Sequence, residues 1–259
     1  MFKYFSLIFL FTISPNIYSQ TISQKFDAAM VAYHNEQYAQ SNRLFEEFFS
    51  DYKIVDEVFA TAKYYSAESL LKLGRKDEAA IGFEYLTRTF YWSNYRDKAL
   101  YNLGLIYYNA GKFEHSRNRL KLLLNDYPES DFYGSSLYWI GESYSAENKP
   151  KEAIQFLEEA VADKRNKKYA DYTIYTLANA YENIGEYTNA VKYYDQLLTY
   201  HKNSKLTTSA QIRIGICYFK LKDYQSSILE LKNLSALKGS IIVIPVSYTH
   251  LTLPTNREV

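Results

Sequence analysis

Apolar and small side chains recur along this chain at helical spacing, and the helical pattern itself repeats. Leu100, Leu103, Gly104 and Tyr107 are separated by steps of one, three and four, and Leu120, Leu123 and Leu124 follow the same rule, so each set lies on one face of a helix. The stretch ALYNLGLIYYNAGKF at 99–113 is echoed by SLYWIGESYSAENKP at 136–150, TIYTLANAYENIGEY at 173–187 and AQIRIGICYFKLKDY at 210–224, each offset by 37 residues. One column is small: Ala67, Gly104, Gly141, Ala178 and Gly215. Three residues later stand Leu70, Tyr107, Tyr144, Tyr181 and Tyr218. A second small column holds Ala79, Ser116, Ala153, Ala190 and Ser227, and four residues beyond it come Phe83, Leu120, Leu157, Tyr194 and Leu231. Five units align without a gap. A sixth, carrying Met30, Tyr33, Tyr38, Ser41 and Phe45, joins them when one residue is removed from its inter-helix turn.

These columns predict two helices per unit. Gly74, Gly111 and Gly185 fall between them, where a helix end favours a residue that tolerates the left-handed conformation. The connection is short, so the two helices are antiparallel. The small columns let the backbones approach, and the Tyr column fills the space one turn away. Ser93, Ser130 and Ser204 recur on the same period as expected helix N-caps, with Lys167 in the remaining slot. In DYPESD at 126–131, Pro128 ends one helix and Ser130 opens the next. The expected fold class is all-α, a solenoid of about six antiparallel helix pairs near 23–54, 55–92, 93–129, 130–166, 167–203 and 204–240.

The column set, a Leu and small pair, a Tyr, then Ala, Phe and a terminal Pro, resembles the tetratricopeptide repeat; LYNLGLIYYNAGKF through DYP is its most specific stretch. The family unit is about 34 residues, and three more here imply longer helices or linkers. Units of this length with YPxS boundaries look like those of exported bacterial envelope proteins such as the Tol-Pal periplasmic coordinator and the barrel-assembly lipoprotein, although no Cys stands where the lipoprotein would be acylated. The resemblance implies a right-handed superhelix whose concave surface is lined by the first helix of each unit. Carried over onto this chain, the inner column is Tyr64, Tyr101, Tyr138, Tyr175 and Ile212, with Glu68 beside Tyr64, Glu142 beside Tyr138 and Asn179 beside Tyr175. Two readings of that column stand side by side. The Tyr rings form a groove that holds an extended or helical segment of a partner protein, or they pack between neighbouring helices while the Glu are solvated. Stacked aromatics with nearby carboxylates also suit a sugar ring, so a glycan or peptidoglycan ligand is the alternative. The Lys and Asn clamp with which some members hold a C-terminal carboxylate is not matched.

Composition narrows this further. Twenty-eight Tyr and 15 Phe against 9 Gly and 5 Pro suit long regular elements. The opening MFKYFSLIFLFTISPNIYSQ has an early Lys3, an apolar run from Tyr4 to Ile13, Pro15 and a small Ser19. That is the form of a secretory signal peptide over residues 1–19, and its apolar run is about half the ~20 residues a bilayer span needs. The expected location is therefore exported, periplasmic or associated with the outer membrane of a Gram-negative bacterium, with no integral membrane span. With Lys3, Arg257 and Glu258 set aside, basic and acidic residues balance, which gives no electrostatic reason to expect a nucleic acid partner. The single Cys217 allows no internal disulfide.

No catalytic set is visible. His34, His115 and His201 are isolated near turns or unit boundaries, without the spacing of metal ligands. Cys217 reads as a buried small apolar residue rather than a nucleophile. The Gly residues are scattered singly, not gathered into a phosphate-binding loop, and the pairs Glu46–Glu47 and Glu158–Glu159 are adjacent, hence on different sides of a helix. The expectation is a noncatalytic protein-binding scaffold with no cofactor and no metal.

The end of the chain breaks the rule. Extending the register puts Thr252 and Thr255 where a small residue and an aromatic belong, with Pro254 between them inside what should be a helix. IIVIP before it is β-branched, and VSYTHLTLPT resembles a translated sequencing adaptor. Residues 241–259 are thus expected to be non-native or unstructured, with 246–259 the adaptor-derived part. A seventh unit is expected in the native gene, so that the array or a larger protein continues, and self-association is expected through an uncapped last repeat.

Overall fold

A computed structural model describes residues 21–238, all of whose regular elements are α-helices. They are α1 Ile22–His34, α2 Tyr38–Asp51, α3 Glu57–Lys72, α4 Lys76–Thr89, α5 Arg96–Asn109, α6 Phe113–Asp126, α7 Tyr133–Ala146, α8 Pro150–Ala162, α9 Ala170–Asn183, α10 Tyr187–Tyr200, α11 Thr207–Lys220 and α12 Tyr224–Lys238. The expected signal segment 1–19 and the tail 241–259 lie outside the described residues. The chain falls into two compact units, one ending at Ala99 and one beginning at Leu100, within α5. In the first, α1 packs on α2, α2 on α3 and α3 on α4; in the second, each helix from α6 to α12 packs on the next. This is the nearest-neighbour stacking of a repeat protein.

The period is kept by the backbone as well as by the side chains. First helices begin at Arg96, Tyr133, Ala170 and Thr207, and second helices at Lys76, Phe113, Pro150, Tyr187 and Tyr224, every step being 37 residues. All six inter-helix turns share one geometry. After α5, Lys112 N–H donates to Tyr107 O and Gly111 N–H to Tyr108 O, and the pair recurs as Lys149 to Tyr144 and Asn148 to Ser145 after α7. This double bond pattern closes the last turn of a helix around a left-handed residue. Gly74, Gly111 and Gly185 supply that residue at φ 77°, 71° and 82°, while Glu36, Asn148 and Lys222 adopt φ 58°, 57° and 64° in the equivalent turns.

The small columns fix how closely each helix pair approaches. Where the second column is Ser, its hydroxyl returns to the small residue twelve positions earlier: Ser41 Oγ donates to Ala29 O at 3.0 Å, Ser116 to Gly104 O at 2.7 Å and Ser227 to Gly215 O at 2.8 Å. A Cβ added at Gly141 would lie 2.5 Å from Leu157 Cγ, and one at Gly215 would lie 2.9 Å from Leu231 Cδ2. Gly141→Leu is therefore expected to wedge α7 from α8 at a cost of ~1–3 kcal/mol. Lys151→Leu, at an exposed position on α8, should stay within ~0.5 kcal/mol. Urea midpoints of the two variants make the comparison, and equal midpoints would overturn the packing register.

The boundary Ser residues act otherwise than expected. Helices α5, α7 and α11 begin three residues after Ser93, Ser130 and Ser204, and the side chains of Phe132 and Leu206, the N-cap residues of α7 and α11, make no cap bond. Each Ser Oγ instead accepts from the backbone two residues on: Tyr95 N–H at 3.2 Å, Phe132 N–H at 3.2 Å and Leu206 N–H at 3.1 Å. The hydroxyl builds a tight turn ahead of the helix, because two residues must first bring an aromatic or apolar side chain under the preceding unit.

Candidate functional site

The expected groove column is buried, which corrects the open-groove reading. Tyr64, Tyr101, Tyr138 and Tyr175 are 6%, 8%, 0% and 7% exposed. Three of them lie nearly flat on the ring 31 residues ahead: Tyr64 on Tyr95 at 4.8 Å and 29°, Tyr101 on Phe132 at 4.7 Å and 26°, and Tyr138 on Tyr169 at 4.9 Å and 15°. The turns at Ser93, Ser130 and Lys167 thus each feed a ring into the space beside the Tyr of the preceding repeat. Offset stacking of this kind is favourable beyond the area it buries. In the fourth case the slot holds Leu206, and Tyr175 meets Tyr194 edge-on at 5.5 Å instead.

In the first compact unit, Glu68 is half-buried and lies near the Tyr33 phenol. Burial, then the Glu68 charge, raises the Tyr33 phenol above its ordinary value. Around it, Tyr33 meets Tyr65 edge-on at 4.8 Å, and Tyr65 meets Tyr95 at 5.5 Å. Burial and the Tyr95 hydroxyl push the Tyr65 phenol up to about 12. Glu68 is therefore tied into an aromatic cluster rather than simply solvated.

In the second unit Glu142 is 9% exposed and accepts from Thr176 Oγ1 at 2.9 Å and, more weakly, from the Tyr108 hydroxyl at 3.5 Å. Asn179 remains half-buried and accepts from Asn183 Nδ2 at 3.0 Å. Tyr101 and Tyr138, with Glu142 on the next turn of α7, belong to a rigid ring-lined region. Asn179 and the half-buried Tyr108 offer polar atoms at its edge.

A largely enclosed polar cluster of this unit does not show in the column pattern. Arg213 Nη1 pairs with Glu182 Oε1 at 2.9 Å, and Tyr194 OH donates to Glu182 Oε2 at 3.1 Å. The Arg213 and Glu182 side chains are 24% and 11% exposed. Burial works against the Arg213 charge, but Glu182 and the neighbouring phenols more than offset it and hold the guanidinium above its usual range. Cys217, fully buried beside them, has its thiol pushed up to about 12 by burial and then by Glu182; it is held as an inert thiol. The signal in the sequence was an Arg one residue past the inner-column position in RIG, where the earlier units hold Tyr65, Asn102, Trp139 and Thr176.

His34 and His115 are exposed and His201 is half-buried. Among the described residues no group of three or more His, Cys, Asp or Glu is placed to hold a metal ion, and no helix is long and apolar enough to cross a membrane.

Four family models, each described as the tetratricopeptide repeat, match residues 26–95, 98–130, 134–162 and 173–206. Solved structures share the fold. The C-terminal part of a TPR repeat-containing protein from Cytophaga hutchinsonii is 15% identical, with a TM-score of 0.68 and 86% of each chain covered. MamA is 17% identical, with a TM-score of 0.59 over 72% of this chain and 98% of the other. The pilF protein of Pseudomonas aeruginosa is 13% identical, with a TM-score of 0.58 over 85% and 93%. Comparison with curated protein sequences returns no match. The family models together span well over half of the chain and coincide with the helix pairs, so the chain belongs to the tetratricopeptide-repeat family.

Proposed function

We propose that this protein is a noncatalytic scaffold of the bacterial envelope that holds a segment of a partner protein along the first helices of its repeats. The observation that supports it most is the closed stacking of the inner Tyr column. Rings locked against the next boundary give a surface whose polar edge is preorganised, so less ordering is lost when a segment docks. The contact groups then differ from those first expected. Within the second unit the buried Tyr101, Tyr138 and Tyr175 support the surface from beneath, and half-buried groups such as Tyr108 and Asn179 meet the partner; within the first, Tyr64 and Glu68 stand in the same relation. Export, and with it the periplasmic setting, rests on the residue 1–19 pattern.

Asn179→Arg places a long cation on that edge without removing a core ring. Capture of envelope proteins by the variant is expected to fall about tenfold against the wild-type chain, with unchanged circular dichroism and melting temperature. Undiminished protein capture would remove the α9 edge from the surface, and co-sedimentation with purified cell wall in place of protein capture would replace this reading by glycan binding.

A further inference from the structure

The two residues ahead of the boundary column change character along the chain. They are Ile54 and Val55 before Asp56 and Tyr91 and Trp92 before Ser93, but Pro128 and Glu129, Arg165 and Asn166, and Lys202 and Asn203 in the later repeats. The apolar pairs are not core. Tyr91 is 69% exposed, Ile54 62% and Trp92 47%, and Val55, Val58 and Tyr85 are exposed with them. All six belong to the first compact unit, and a cluster of exposed aromatic and aliphatic side chains in one place marks a contact surface.

They share one edge of that unit. Ser93 Oγ and Asn94 N–H both donate to Glu57 Oε1 at 3.0 Å, which ties the second boundary segment to the start of α3, next to Val58. A chain of rings joins the two segments from beneath: Tyr52 to Phe59 at 6.4 Å, Phe59 to Phe90 at 5.8 Å and Phe90 to Trp92 at 5.6 Å. Tyr85 meets Phe90 edge-on at 5.7 Å, and Tyr91 meets Trp92 at 5.0 Å. Phe90 is fully buried, so the exposed rings rest on a fixed base.

The charges at this edge select the occupant. Its carboxylates are taken up internally: Asp56 accepts from the Tyr52 hydroxyl at 2.6 Å and from Phe59 N–H at 3.0 Å, Asp51 pairs with Lys25, and Glu57 holds the second segment. Lys53, whose ammonium donates to Phe49 O, and Arg88 are exposed cations next to the apolar pairs in the chain. A two-fold pairing with a second copy would set these like charges together, which is unfavourable. Trp and Tyr beside aliphatic side chains, bordered by Lys and Arg, instead match the interface of a bilayer. The Lys25–Asp51 pair also sets the start of α1 beside the end of α2. The chain thus enters the fold at this edge, with seven residues between the apolar run Tyr4–Ile13 and Thr21, a reach of about 25 Å at most.

We propose that this edge of the first unit is a peripheral membrane contact, in which Ile54, Val55, Tyr91 and Trp92 enter the interface of an anionic phospholipid bilayer and Lys53 and Arg88 lie against its headgroups. The contact attaches the scaffold to one leaflet without a span. It does not depend on capture of a partner segment by the first helices, so either can fail alone.

Trp92 supplies the probe, since the other Trp, Trp139, is 2% exposed. The full chain is mixed with vesicles of phosphatidylcholine, alone or with phosphatidylglycerol, in versions with and without brominated acyl chains. Trp emission is expected to shift to the blue on binding and to be quenched by the brominated lipid, with affinity about tenfold higher for the anionic vesicles. The double variant Ile54→Asp with Tyr91→Asp should lower that affinity about tenfold more at unchanged melting temperature, because both positions are exposed. Leu229→Asp, at an exposed position on α12, should leave it unchanged. Four results would each overturn the proposal. They are no quenching of the wild-type chain by brominated lipid, equal affinity for neutral and anionic vesicles, binding by the double variant as tight as wild type, which places the lipid contact elsewhere (residues 4–13 included), or a concentration-dependent blue shift without vesicles, which gives the edge to a second copy.

Discussion

Tyr138→Ala is expected to lower stability by ~3–5 kcal/mol, the range for truncating a fully buried aromatic side chain. Tyr138 has no exposed surface, lies flat on Tyr169 at 4.9 Å and meets Trp139 at 5.0 Å. Its removal leaves a void at the junction of two repeats, and in a stacked array that junction is what each repeat depends on. Tyr175→Ala should cost about 1 kcal/mol less, because the slot that holds Tyr169 for Tyr138 holds Leu206 for Tyr175 and the flat stacking contribution is absent. Urea unfolding followed by circular dichroism separates these outcomes. A Tyr138→Ala protein that keeps its midpoint would show that the ring faces a partner rather than the core.

The helix pairs were legible because their determinants are local and repeated. Small residues at Gly104, Gly141 and Gly215 are required by Leu120, Leu157 and Leu231 facing them from the second helix. A substitution there meets another side chain at under 3 Å, so the column shows in the letters. The inter-helix turn was only half legible. Geometry demands a left-handed residue in all six turns, yet Glu36, Asn148 and Lys222 accept it. The two bonds that close the turn belong to the backbone, so a modest strain at these residues is tolerated and Gly is not obligatory.

The site was less legible, for a different reason. Tyr64, Tyr101, Tyr138 and Tyr175 form a column whether they line a surface or lie beneath it, because an amphipathic ring serves both. The deciding signal was a second column, Tyr95, Phe132 and Tyr169, two residues past the boundary position. Taken together, two aromatic columns 31 residues apart describe stacked pairs, and stacked pairs are core. The Ser turns point the same way, since Ser93 and Ser204 also donate to Glu57 at 3.0 Å and Asp171 at 2.6 Å near the start of the preceding first helix. Their role is to seat the side chain two residues on, a ring at Tyr95 and an apolar Leu206 after Ser204, which a cap-oriented reading of Ser does not reveal.

Glu182→Leu is expected to cost ~3 kcal/mol or more, through a charge rather than a void. The substitution leaves the Arg213 guanidinium largely enclosed beside Tyr175, Tyr194 and Cys217, and it also removes the acceptor of the Tyr194 hydroxyl. Breaking a buried pair from one side is far more damaging than replacing both partners, because the remaining ion keeps its desolvation penalty and loses its counter-charge. The double variant Glu182→Leu with Arg213→Met should therefore regain most of the loss, giving a coupling of about 2 kcal/mol between positions 31 residues apart in sequence. The cost should also persist at high salt, since enclosed charges are screened far less than exposed ones. Single variants that simply add in the double-variant cycle, or a loss that vanishes in 1 M salt, would mean that water reaches the pair and that α9 and α11 are joined here by packing alone.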